Sequence, residues 1–159
     1  MKRIGIMFET IDVLITEWMA KHGILLLRVS LGVIFFWFGF LKFFPGLSPA
    51  QGLATKTIDV LSFGMIPANV SIIILAAWES VIGIGLISGK FLRVILFLLF
   101  TQMLGTITPA FLFPSEVFTQ IPYAPTLEGQ YIIKNLVLIS AGLVIGATVR
   151  GGGVVSKRS

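Results

Sequence analysis

The 159-residue chain contains no cysteine, which excludes disulfides, thiolate metal ligands and cysteine redox chemistry within it. Its single histidine, His22, stands at the boundary of an apolar segment and reads as an interfacial polar side chain. No haem or metal site is therefore expected from this chain alone. Charge is scarce as well: 12% of the residues are charged, against 56% hydrophobic, and the mean hydropathy is +1.00. That is too apolar for an ordinary soluble domain, and the length suits one compact bundle rather than two domains. No nucleophile constellation or cofactor motif is visible, so independent catalysis has no support in the sequence.

What the chain does have is long apolar runs. Ile24–Phe44, Asn69–Ser88, Phe91–Phe111 and Tyr131–Val149 each approach the roughly 20 residues that cross a bilayer core. The expected fold class is all-α: an integral membrane four-helix bundle, preceded by an interfacial amphipathic helix and forming one domain over residues 1–159. Lys2, Arg3 and Lys21 precede the first run, Lys90 and Arg93 flank the second connection, and Arg150, Lys157 and Arg158 follow the fourth. The other side has only Lys56 in its loops, so the positive-inside rule places both termini in the cytoplasm. The net charge of +5 and pI near 9.9 then express topology and attraction to anionic lipid, and no nucleic-acid partner is expected.

Glu9, Asp12 and Glu17 interrupt what a cleaved signal peptide would need as its apolar region, so the start is expected to be retained. Ile4, Met7, Phe8, Ile11, Leu14, Ile15 and Trp18 recur at helical spacing opposite Glu9, Asp12 and Thr16. That pattern predicts an amphipathic helix over residues 1–22, lying in the interface as an anchor or docking a cytoplasmic partner. In the first span Arg28, Gly32, Phe35, Gly39 and Lys42 share one stripe, with Ile34, Trp37 and Leu41 opposite; the glycines admit a close neighbour and the other face suits lipid. In the outer loop that follows, Ser48-Pro49 signals a short helix with Leu53, Thr57, Ile58 and Leu61 on its apolar face and Lys56 and Asp59 turned to water.

Glu79, near the middle of the second span beside Ala76 and Gly83, is the strongest single pointer to function. A carboxylate at that depth costs several kcal/mol unless it is paired or hydrated. It reads either as a structural lock bonded to Gln102 or Arg28, or as a group that handles protons or a ligand. Depth counted from the span edges favours Arg28 as its cation, with Lys42 having farther to reach. Gln102, Gly105, Thr106 and Pro109 form a small polar stripe on the third span, and Pro109 predicts a kink. The loop from Leu112 to Gln130 holds Pro114, Pro122, Pro125, Phe118 and Tyr123, with Glu116 and Glu128 and no basic residue; an ordered lid and a flexible linker are both open. The fourth span carries Lys134-Asn135 and then Gly142 and Gly146 in GxxxG spacing. Lys42 and Lys134 either snorkel to water or turn inward and make a basic cavity above Glu79.

Arg28, Gly32, Gly39 and Lys42, followed by Trp78-Glu79, Gly83 and Gly89, resemble the opening spans of the DoxX-like membrane family. Leu127-Glu128-Gly129-Gln130-Tyr131-Ile132-Ile133-Lys134-Asn135-Leu136 looks like its YkgB branch, and together the similarity runs from Gly23 to Arg150. The resemblance implies a four-helix protein of the bacterial inner membrane, sometimes attached to quinone-linked or stress-related redox systems. The leading expectation is an accessory or small subunit of such a system, holding a quinone or similar lipophile, with a membrane oxidoreductase as partner. Glu79 would be proton-active, and Arg28, Lys42, Gln102, Lys134 and Asn135 the candidate polar contacts. Permeation of protons or small solutes, which in four spans requires homo-oligomerisation, and a non-enzymatic membrane scaffold are the alternatives.

Overall fold

The computed structural model describes residues 2–48 and 50–153, with side chains from residue 9 onward. Lys2, Arg3, Ile4, Met7 and Phe8 as side chains, and Pro49, Lys157 and Arg158 altogether, lie outside the described residues. The chain forms α1 (Lys2–Leu41), α2 (Gln51–Leu61), α3 (Ala68–Ser88), α4 (Leu92–Ile107), α5 (Pro109–Leu112), α6 (Pro114–Val117), β1 (Phe118–Gln120), β2 (Ala124–Pro125) and α7 (Leu127–Thr148). Among the described residues four stretches are long and apolar enough to cross a membrane: Glu9–Leu41, Ala68–Ser88, Leu92–Leu112 and Leu127–Thr148. The all-α membrane fold is thus the one expected from the apolar runs.

Glycines set the closest contact in the bundle. A Cβ placed on Gly32 would lie 2.9 Å from the Gly83 carbonyl oxygen, and one on Gly83 would lie 2.6 Å from Phe36 Cα. With no side chain at these points α1 and α3 approach backbone to backbone, and dispersion and close packing hold helices that gain little from the hydrophobic effect in lipid. Leu31 and Phe35 from α1, Ile82 and Leu86 from α3, Ile95 and Leu99 from α4 and Ile145 from α7 fill the centre. The expected lipid face of α1 is indeed outward: Trp37 is 63% exposed.

One expectation for the N-terminal half needs revision. Residues 2–41 make one uninterrupted helix, with no break at His22-Gly23, so the amphipathic stretch is helical as expected but is not a separate interfacial element. At 1.5 Å per residue α1 is about 60 Å long, twice the thickness of a hydrocarbon core. His22 Nδ1 lies 3.0 Å from the Trp18 carbonyl oxygen one turn back, a local contact that helps carry the helix through this point. Within the stretch Leu14 and Trp18 are exposed.

At the other end the loops are ordered. α2 forms where the Ser48-Pro49 signal placed it and buries Leu53 and Thr57, as expected, while Leu61 remains exposed. Thr108 separates α4 from α5, so the helix is interrupted beside Pro109. The segment after α5 is structured rather than a featureless linker. Thr126 Oγ1 donates to the Glu116 carbonyl at 2.7 Å and accepts from Gly129 N at 3.1 Å, so one side chain ties α6 to the first turn of α7.

Candidate functional site

Glu79 is carried into the bundle by α3, whose other inward positions are Ala76, Ile82, Gly83 and Leu86. Opposite it on α1 stands Gly39, where a Cβ would lie 2.7 Å from Glu79 Cβ. Because position 39 lacks a side chain, Lys42, one residue beyond the end of α1, can fold back over it. Its Nζ lies 2.6 Å from Glu79 Oε2, with the two side chains 12% and 10% exposed. From α4, Gln102 Nε2 donates to the other carboxylate oxygen, Oε1, at 2.7 Å. Both oxygens of the buried acid are therefore engaged, one by a cation and one by an amide, which offsets the cost of holding a carboxylate away from water.

The cluster has bonding capacity beyond these contacts. Lys42 Nζ also donates to the Phe38 carbonyl at 3.2 Å, so the two bonds use two of its three N–H donors. Ser80 Oγ and Gln102 Oε1 are buried and have no hydrogen-bond partner among the described residues. A hydroxyl can donate and an amide oxygen accepts, so the chain neighbour of Glu79 offers a spare donor and its amide partner a spare acceptor. The sequence marks Ser80 only as a polar side chain adjoining the intramembrane acid.

Of the six residues singled out from the sequence, Lys42, Glu79 and Gln102 come together. Arg28 does not join them. Its guanidinium lies against Gly89, at the far end of α3, ten residues from Glu79, or about 15 Å along the helix. The expected Arg28–Glu79 pairing is therefore replaced by Lys42–Glu79. Lys134 is exposed, with Nζ 5.9 Å from the Tyr131 ring centroid, so it does not build a basic cavity over the acid. Asn135 Nδ2 donates to Thr106 Oγ1 at 3.1 Å, one helical turn along α4 from Gln102, and extends the polar interior without reaching Glu79.

Trp78 Nε1 donates to the Leu98 carbonyl at 3.2 Å and fixes α3 against α4 beside the cluster. At the Lys42 end of the bundle a cavity of about 730 Å³ opens between the loops, lined in part by Gly46, Gln51, Lys56, Glu116 and Glu128. Lys56 is paired with Glu116 and stands 4.3 Å from the Phe113 ring centroid, joining α2 to the 113–117 segment.

Four apolar spans around a Lys–Glu–Gln cluster define a small multi-pass membrane protein of the helical-bundle class. The chain belongs to the DoxX family: the family model, DoxX, matches residues 23–115. That region takes in Arg28, Gly39, Lys42, Glu79 and Gln102, and it ends before Leu127–Leu136, on which the YkgB likeness rests. No curated protein and no solved structure matches the chain.

Proposed function

We propose that this DoxX-family protein is a small accessory subunit of a membrane redox or stress-response system, and that it holds a quinone or similar lipophile beside Lys42, Glu79 and Gln102. The observation that carries the reading is the pair of buried, unpartnered polar atoms, Ser80 Oγ and Gln102 Oε1, next to an intramembrane ion pair. A quinone presents carbonyl acceptors, which suit the Ser80 hydroxyl and the remaining Lys42 N–H; a quinol presents hydroxyl donors, which suit Gln102 Oε1. Glu79 and Lys42 then hold charge and protons near the ligand's oxygens while the apolar helices accept its ring and tail. In this reading the partner is a membrane oxidoreductase. Both termini face the cytoplasm of a bacterial inner membrane, which the basic residues around Lys21, Lys90, Arg93 and Arg150 support.

The engagement of both Glu79 oxygens favours one other reading, a packing lock in a non-enzymatic scaffold. Solvent extraction of the detergent-purified protein, with quinone quantified per chain, separates the two when combined with proton flux in proteoliposomes. Near-stoichiometric quinone in the native protein, lost in Glu79→Gln, is the expected result. Flux without quinone would indicate permeation, and neither would leave the scaffold.

A further inference from the structure

The Glu79 cluster leaves Arg28 unused. Arg28 is half-buried between α1 and the turn from α3 to α4, and its Nε is inaccessible with no hydrogen-bond partner. The guanidinium occupies the space that a side chain at Gly89 would fill: Arg28 Nη1, Cζ and Nη2 are the three atoms nearest a Cβ placed there. Gly89 is also the left-handed residue that ends α3, with φ of 71°, so a glycine serves both the turn and the cation.

Among the described residues no acid is placed to neutralise it. Glu79 is committed to Lys42 and Gln102 about 15 Å away. Glu17, the nearest acid along α1, is eleven residues or about 16 Å distant. Asp59, Glu116 and Glu128 belong to the loops and helix start at the opposite end of the bundle. The residues that follow Gly89 add positive charge, since Lys90 and Arg93 are both exposed. Phe91, which precedes α4, provides no side-chain cap for that helix. The α3–α4 turn joins two membrane spans, so it lies in the headgroup layer, where phosphates are the abundant anions.

We infer that Arg28, with Lys90 and Arg93, forms a binding site for the headgroup of an anionic phospholipid, seated where α1 meets the α3–α4 turn. The phosphate oxygens would accept from the terminal Nη1 and Nη2 N–H groups of the guanidinium, which arginine presents in a planar fork. The acyl chains would continue toward the bilayer centre along the exposed flank of α1, where Val33 and Ile34 are 48% and 40% exposed. This site is independent of any quinone at Glu79.

The test is thermal melting of the purified full chain in detergent, with and without added phosphatidylglycerol, phosphatidylcholine or inorganic phosphate, together with native mass spectrometry of retained lipid. Phosphatidylglycerol should raise the melting temperature of the native protein and remain bound, while phosphatidylcholine and phosphate should not. Arg28→Gln should weaken phosphatidylglycerol binding about fivefold or more. A Lys90→Gln/Arg93→Gln double variant, which touches no packed helix face, should weaken it by a similar factor and serves if Arg28→Gln fails to fold. Lys134→Gln, at the other end of the bundle, should leave binding unchanged. An equal response to both lipids, an equal shift with phosphate alone, or undiminished phosphatidylglycerol binding in the foldable Arg28, Lys90 and Arg93 variants would overturn the assignment.

Discussion

Gly39 of α1 and Glu79 of α3 meet so closely that a Cβ on the glycine would lie 2.7 Å from the Cβ of the acid. Together with the contact at Gly32 and Gly83 it sets the separation of the two helices, and it leaves the space through which Lys42 reaches the carboxylate. Packing and electrostatics are joined at that point, and they can be separated by substitution.

Gly39→Ala is expected to destabilise the protein, because the added methyl meets the Glu79 Cβ and the Ser80 backbone nitrogen rather than a flexible side-chain tip. Overpacking of this kind costs about 1–3 kcal/mol. Gly23→Ala is the control: nothing lies within 4 Å of its Cβ position, and the gain in helix propensity is worth up to about 1 kcal/mol. Melting temperatures in the same detergent should therefore move in opposite directions. A shared direction would mean that the α1–α3 contact is looser than described.

The GxxxG pair on α7 is expected to behave unequally. A Cβ on Gly142 would lie 3.2 Å from the Phe100 ring, whereas one on Gly146 meets Leu96 at an ordinary 3.5 Å. Gly142→Leu should lower the melting temperature more than Gly146→Leu. Equal losses would show that the two positions share one interface of uniform depth, as the spacing alone suggests.

Much of this architecture was legible in the residues. The apolar runs locate the spans, the Gly32–Phe35–Gly39 stripe identifies the buried side of α1, and Gln102 is one of the two partners, with Arg28, that the sequence offers Glu79 as a lock. Ser48-Pro49 marked the start of α2, and Pro109 the break after α4. Choosing the cation for Glu79 needed something else, the vertical register of α1 against α3. That register is set by Gly32 and Phe36 meeting Gly83 and by Gly39 meeting Glu79. Counting depth from an assumed span start at Ile24 moved Arg28 toward the acid, because nothing in the apolar pattern revealed that α1 continues unbroken from residue 2. The β1–β2 hairpin was also not legible, since its strands are too short to show alternation.

Thr126 is expected to be worth more than an ordinary loop residue. Thr126→Val removes the N-cap of α7 and the hydroxyl bond to the Glu116 carbonyl while keeping the side-chain shape. Loss of such a cap costs about 1 kcal/mol. Limited proteolysis should cut the 113–126 segment faster in the variant than in the native chain, with the four spans unaffected. Unchanged cleavage would assign the order of the loop to the Lys56–Glu116 pair instead.

The last prediction concerns the asymmetry of the Lys42–Glu79 pair. Lys42→Met leaves the carboxylate inside the bundle with only the Gln102 amide, and stranding one partner of a buried pair costs about 3–5 kcal/mol. Glu79→Gln instead leaves the ammonium, which already donates to the Phe38 carbonyl and stands one residue beyond the end of α1. From there its long stem can carry the charge to the headgroup layer. Lys42→Met should therefore harm folding more than Glu79→Gln. The double variant should recover most of the difference, which a double-mutant cycle on detergent melting would measure. Bound quinone on the same variants then decides the role of the pair. If Glu79→Gln folds normally and loses quinone, the acid belongs to the ligand site; if it unfolds the bundle while any surviving protein retains quinone, Glu79 is a lock and the ligand reading should be abandoned.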